Sequence, residues 1–224
     1  MKRRMWSTVG LSTLVAATII SSAPAAMAEE VTPVDDLVAQ AVEVSSLPVD
    51  EAGLAAVFAT MSEAQAQQLI DTQLVADSAT SVVITPADAT ARATARTSGV
   101  PTLNATSAAR ASGCWTSKIN RSAKAAAGNT LYTYFTTGGW CSNGSSVTSA
   151  RLVERGGETS TPGWRYAGVR TGGSGVFGGQ GRVYTQFQFI LGAAGIDVQS
   201  PTPCARMRGN ANGSATGDGV CSVS

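Results

Sequence analysis

The chain has 224 residues, of which 43% are hydrophobic, 14% charged and 6% aromatic, with 24 Gly, 4 Cys and a formal net charge of +1. It contains no His, which excludes a Ser–His–Asp or Cys–His catalytic pair, a His-ligated zinc and an imidazole pH switch. The small total charge is the sum of two opposed halves: residues 29–91 hold eleven acids and no Lys or Arg, whereas residues 92–224 hold thirteen Lys or Arg against Glu154, Glu158, Asp197 and Asp218.

Residues 1–28 have the form of a secretory signal. Lys2, Arg3 and Arg4 are basic, residues 9–20 are apolar, and Ala26-Met27-Ala28 is a small-x-small pattern that places cleavage after Ala28. The apolar run is shorter than the roughly 20 residues a bilayer-spanning helix needs, and no later segment is a transmembrane candidate. A secreted, extracellular product is expected. Residues 29–91 then read as an acidic helical pro-region. Val34, Leu37, Val38, Ala41 and Val42 follow the i, i+3, i+4 spacing of one helix face, Pro48 interrupts it, and Leu54, Val57, Phe58 and Met61 resume it. Ser62 and Gln65 form a capping-box pair that opens a third helix through Leu69 and Ile70. One Phe and no Trp or Tyr leave this piece dependent on packing against something else. It reads either as a propeptide that covers a basic partner or as a solvated acidic spacer. The Pro-, Ala- and Thr-rich stretch that follows lacks apolar periodicity, and 92–112 reads as a linker. Arg92, Arg96 and Arg110 stand in it singly, as processing sites for trypsin-like proteases.

Residues 113–224 hold all four Cys, all four Tyr and three of the four Trp, a composition suited to short strands and tight turns. Alternation predicts strands over 130–136, 147–154, 164–170 and 182–191, with shorter ones near 196–198 and 205–208. In the clearest of these, Val183, Thr185, Phe187, Phe189 and Leu191 share a face. Turns are expected at Ser142-Asn143-Gly144, Gly156-Gly157, Pro162-Gly163 and Gly172-Gly173. The predicted fold is a mainly β domain, an antiparallel sandwich or small barrel, stapled by disulfides. Residues 116–127 are the exception. At 100° per residue Trp115, Ile119, Ala123 and Ala126 gather on one side and Lys118, Arg121 and Lys124 on the other, which predicts a short basic amphipathic helix. Cys114, Cys141, Cys204 and Cys221 allow three pairings, of which the sequential one closes the short loops.

The basic domain owns only four carboxylates. Glu154 and Glu158 are close in sequence, but the glycines between them suggest an exposed turn rather than a paired acid and base. The Gly-rich run 172–179 lacks the Gly-Lys-Ser/Thr ending of a phosphate loop. No catalytic group, cofactor or metal is expected. Lys118, Arg121, Lys124, Arg165, Arg170 and Arg182 are the residues expected to meet an anionic surface. The acidic-leader and basic-domain organisation resembles that of secreted bacteriocin-like antimicrobial precursors of Gram-positive bacteria. The segments Gly113-Cys114-Trp115, 139–144 (Gly-Trp-Cys-Ser-Asn-Gly) and 162–166 (Pro-Gly-Trp-Arg-Tyr) are similar to a group of uncharacterised secreted actinobacterial domains, over about half the chain. This resemblance implies a non-enzymatic protein acting on anionic components of bacterial envelopes, with its own acidic pro-region as a partner. A non-lethal secreted envelope-binding domain is the alternative.

Overall fold

The structure, a computed structural model, describes residues 33–86 and 112–224. The signal segment with Ala28, and the linker arginines Arg92, Arg96 and Arg110, lie outside the described residues. The predicted helices form where the apolar spacing places them: α1 (Val34–Val44), α2 (Glu51–Phe58) and α3 (Glu63–Gln73). Asp50 caps α2 by accepting from the Gly53 N–H, and Ser62 with Gln65 closes the reciprocal capping box of α3. The acidic segment is not helical throughout, however. Ten of its residues extend as β1 (Asp77–Pro86), and the described chain resumes with β2 (Ser112–Lys124), β3 (Thr130–Asn143), β4 (Val147–Thr159), β5 (Trp164–Phe177), β6 (Gln180–Ala193), β7 (Ile196–Gln199), β8 (Cys204–Gly209) and β9 (Ala215–Asp218).

Two antiparallel sheets result, one ordered β1-β2-β3-β4 and the other β5-β6-β8-β9 with β7 also on β6. Their inner faces interlock in a sandwich. Tyr132, Tyr134 and Trp140 of β3 meet Val183, Phe187 and Phe189 of β6 in one core, with Tyr132 stacked on Phe189 at 4.0 Å between ring centroids. The alternation of β6 holds as expected, with Val183, Thr185, Phe187, Phe189 and Leu191 all buried. Both disulfides form, in the sequential pairing Cys114–Cys141 and Cys204–Cys221. The first joins residues directly opposite each other on β2 and β3.

Three local expectations are corrected. Residues 116–127 do not form a helix, because 112–124 is a strand paired on both sides, with β1 and β3. Trp115, Ile119 and Ala123 are spaced by four, a separation that shares a face in a helix and in a strand alike. Gly156-Gly157 and Gly172-Gly173 are not turns but lie inside β4 and β5. Their missing side chains make room for aromatics: a Cβ on Gly156 would stand 2.9 Å from the Phe135 ring, and one on Gly173 would stand 2.8 Å from the Tyr184 ring. The chain instead reverses at Gly178-Gly179, both at positive φ (58° and 75°) as a two-residue hairpin loop requires.

The strands run up and down, so each end of the sandwich has a distinct membership. At one end sit Lys124, Thr130, Trp164, Leu191 and β7, and there the helices dock. The Trp164 indole N–H donates to the Gln73 carbonyl (3.0 Å), the Asn129 amide to the Thr72 carbonyl (2.9 Å), and the Ala127 N–H to the Asp71 carbonyl (2.9 Å). The buried Gln199 amide donates to Ser45 Oγ (2.9 Å) and accepts from the Val75 N–H (3.4 Å). Leu54, Val57, Phe58, Ile70 and Leu74 are buried in the same cluster as the sheet aromatics. The helices therefore cap one end of a shared core. Phe58→Ala, a truncation made wholly within this cap, should cost about 3–5 kcal/mol and lower a single unfolding transition. Near-ultraviolet dichroism of the sheet aromatics and far-ultraviolet dichroism should shift together, and separate transitions would show that the cap folds independently.

Candidate functional site

The six cations expected to meet an anionic surface stand on both sheets: Lys118, Arg121 and Lys124 on β2, Arg165 and Arg170 on β5, and Arg182 on β6. In β2 alternate residues point to opposite faces, so Lys118 lies on the outer face while Arg121 turns inward between the sheets. There the Arg121 Nε–H donates to the Tyr134 hydroxyl at 3.1 Å. Burial raises the Tyr134 pKa above its ordinary value, and the adjacent guanidinium offsets part of that rise. Lys118 Nζ sits 3.6 Å from the centroid of the Phe135 ring, and Lys124 ends the strand beside the helical cap, where its carbonyl accepts from the Ala76 N–H. Arg165, Arg170 and Arg182 belong to the outer face of the other sheet. Arg165 pairs with Asp197 (2.8 Å), Arg170 donates to Gln188 Oε1 (3.2 Å), and Arg182 spans Gln180, the Val223 carbonyl and the Phe177 ring.

The outer face of the first sheet carries a groove of about 570 Å³ lined by strands β1 to β4, among them Ser81, Lys118, Asn120, Thr133, Phe135 and Glu158. Glu158 accepts from the Thr133 hydroxyl at 3.2 Å. Glu154 and Glu158 pair with Thr137 and Thr133 four residues apart on one strand, which separates them by roughly 13 Å at the rise of an extended chain, beyond the reach of a glycosidase pair. Among the described residues no group of three or more His, Cys, Asp or Glu could hold a metal ion, and no helix is long and apolar enough to cross a membrane. The groove offers a cation laid over a phenyl ring, a single carboxylate and several hydroxyls.

The strongest electrostatic feature was not legible as a site in the sequence. Arg206 is buried on β8 and holds Asp218 of β9 through two hydrogen bonds, Nε to Oδ1 at 2.9 Å and Nη2 to Oδ2 at 3.0 Å. Its remaining nitrogen donates to the Ser222 carbonyl, and Arg208 completes the cluster at 3.0 Å from Asp218. The i, i+2 spacing of Arg206 and Arg208 puts both on one strand face, but the partner strand is supplied by topology alone. The Cys204–Cys221 bond folds the segment after β9 over this cluster. Partial burial by itself would raise the Asp218 carboxyl, but the bonds from Arg206 and the Val220 N–H, with the charges of Arg206 and Arg208, hold it below its ordinary value.

No family model, curated protein or solved structure matches this chain. Asp218→Asn would leave a buried guanidinium without its anion and should cost roughly 2–4 kcal/mol. The depressed carboxyl fixes the sign of the pH effect. Its contribution is complete above the ordinary value of 3.8 and is lost as the pH falls through the lower folded value. Urea midpoints should therefore separate wild type and Asp218→Asn widely at pH 6, and the gap should narrow in strong acid; a gap independent of pH would contradict the assignment.

Proposed function

We propose that this chain is the precursor of a secreted cationic antibacterial protein that acts at the anionic envelope of competing bacteria, with its acidic segment as an intramolecular cap. The charge partition carries this reading. All eleven acids of 29–91 stand on one side of an arginine-bearing linker, and the strands that follow carry an excess of cations. The two disulfides suit an oxidising compartment outside the cytoplasm. Capping has a physical purpose here, since the helices cover the end at which Trp164, Leu191 and Val198 would otherwise be bared. Cutting the linker severs the covalent tie but leaves the cap seated, and activity follows when the cap departs.

The depth of that seating favours a second reading as well. A segment this embedded in the core can also serve as a permanent part of a non-lethal, envelope-binding protein. N-terminal sequencing of protein from culture fluid, with the same material spotted on bacterial lawns, separates the two. The antibacterial reading predicts a species beginning within 92–112 that clears lawns, less so at raised salt because exposed charges are screened beyond about 8 Å at physiological ionic strength. A species that begins at Glu29, keeps the acidic segment and clears no lawn would sink it in favour of the binding reading.

A further inference from the structure

The end of the sandwich away from the helical cap combines exposed apolar side chains with cations. It is formed by the β5–β6 hairpin tip, the β3–β4 turn, and the β8–β9 turn. These meet because Gly181 lies against Trp140 and Val147, and because the Trp140 indole N–H donates to the Asn210 carbonyl at 3.0 Å. Val176 and Phe177 occupy the hairpin tip, and Phe177 is 50% exposed. The Phe177 ring stands beside the two-residue hairpin loop, with the Arg182 guanidinium over its face at 5.0 Å from the centroid. Arg151, exposed on β4, adds a second cation near the same end. β2, β3, β5, β6 and β8 contain no Asp or Glu at all. Asp218 on β9 is already neutralised by Arg206 and Arg208. The acids of the helical cap lie at the opposite end.

Resting on the envelope-directed reading above, we propose that this end is a docking face for an anionic lipid bilayer, with Phe177 and Val176 entering the interface and Arg182 and Arg151 meeting headgroup phosphates. An apolar tip flanked by cations and free of carboxylates is complementary to such a surface in both hydrophobicity and charge. One aromatic and one valine bury too little area to hold the protein on a neutral bilayer, so binding should require anionic lipid and weaken with salt.

The test is co-sedimentation of the full chain with vesicles of phosphatidylglycerol and phosphatidylcholine, against vesicles of phosphatidylcholine alone, with no living target present. Binding to the mixed vesicles only, reduced about tenfold or more by Phe177→Ser and also by the pair Arg151→Gln with Arg182→Gln, is the expected result. Val42→Ser, which removes an exposed apolar side chain of the cap end, should change nothing. Near-ultraviolet dichroism confirms that each variant is folded. No sedimentation with anionic vesicles, or sedimentation indifferent to Phe177→Ser, would overturn the docking face. So would a concentration-dependent dimer that Phe177→Ser abolishes while vesicle binding is absent, which would make the tip a contact between copies. Vesicle binding without lawn clearing would leave the face standing and remove the antibacterial reading, and clearing without vesicle binding would do the reverse.

Discussion

The junction between the helices and the Trp164 end of the sandwich is the constraint on which the rest of the molecule depends. It is made of buried apolar side chains and hydrogen bonds to backbone: Trp164 to Gln73, Asn129 to Thr72, and Gln199 fixed between Ser45 and Val75. Three ion pairs, Arg165–Asp197, Arg206–Asp218 and Arg208–Asp218, lie within 112–224. Opposite net charge distinguishes the two segments, but these apolar and backbone contacts between them are of the kind that salt does not screen. A buried amide such as Gln199 also costs free energy unless every partner is in place, so the junction specifies one seating of the cap rather than a loose electrostatic association.

This seating polarises the molecule. Acidic helices occupy one end, and the hairpin tip bearing Phe177 stands at the other. β1 runs along the side as an edge strand, exposed over residues 77–85, held by its ladder to β2. Such an edge would normally invite pairing with another chain. Here the segment that supplies it also supplies the cap, so a single event that removes residues 33–86 would open both the apolar end and the β2 edge. The proposed antibacterial role and the proposed lipid-facing tip are compatible with one orientation, tip toward the bilayer and cap away from it.

Much of this was legible in the sequence, for identifiable reasons. Helical periodicity, the Pro48 break and the Ser62–Gln65 box placed the three helices, and strict alternation placed β6 with its correct inward face. The failures share a cause, which is that local signals are silent about partners. A spacing of four in Trp115, Ile119 and Ala123 fits a helix face and a strand face equally, and only pairing with β1 and β3 decides. Arg121 illustrates the consequence, since a helix would group it with Lys118 and Lys124 and the strand turns it inward to Tyr134. Gly156, Gly157, Gly172 and Gly173 read as turns because glycine usually marks them. Gly156, Gly157 and Gly173 instead yield space to aromatic rings of other strands, and Gly172 to the backbone of β6. The Arg206–Asp218 pair was invisible for the same reason, its two members being brought together by a sheet whose order no local pattern encodes.

The claim most open to a direct test is that the cap is sealed by apolar and backbone contacts although its charge is opposite to that of its partner. The chain can be cut within 87–111 with trypsin and the product passed over a sizing column at physiological salt and again at about 1 M sodium chloride, where the screening length falls to about 3 Å. The piece carrying 33–86 should elute with 112–224 at both salts. Release of the acidic piece at high salt alone would show that charge, and not the buried junction, holds the two together.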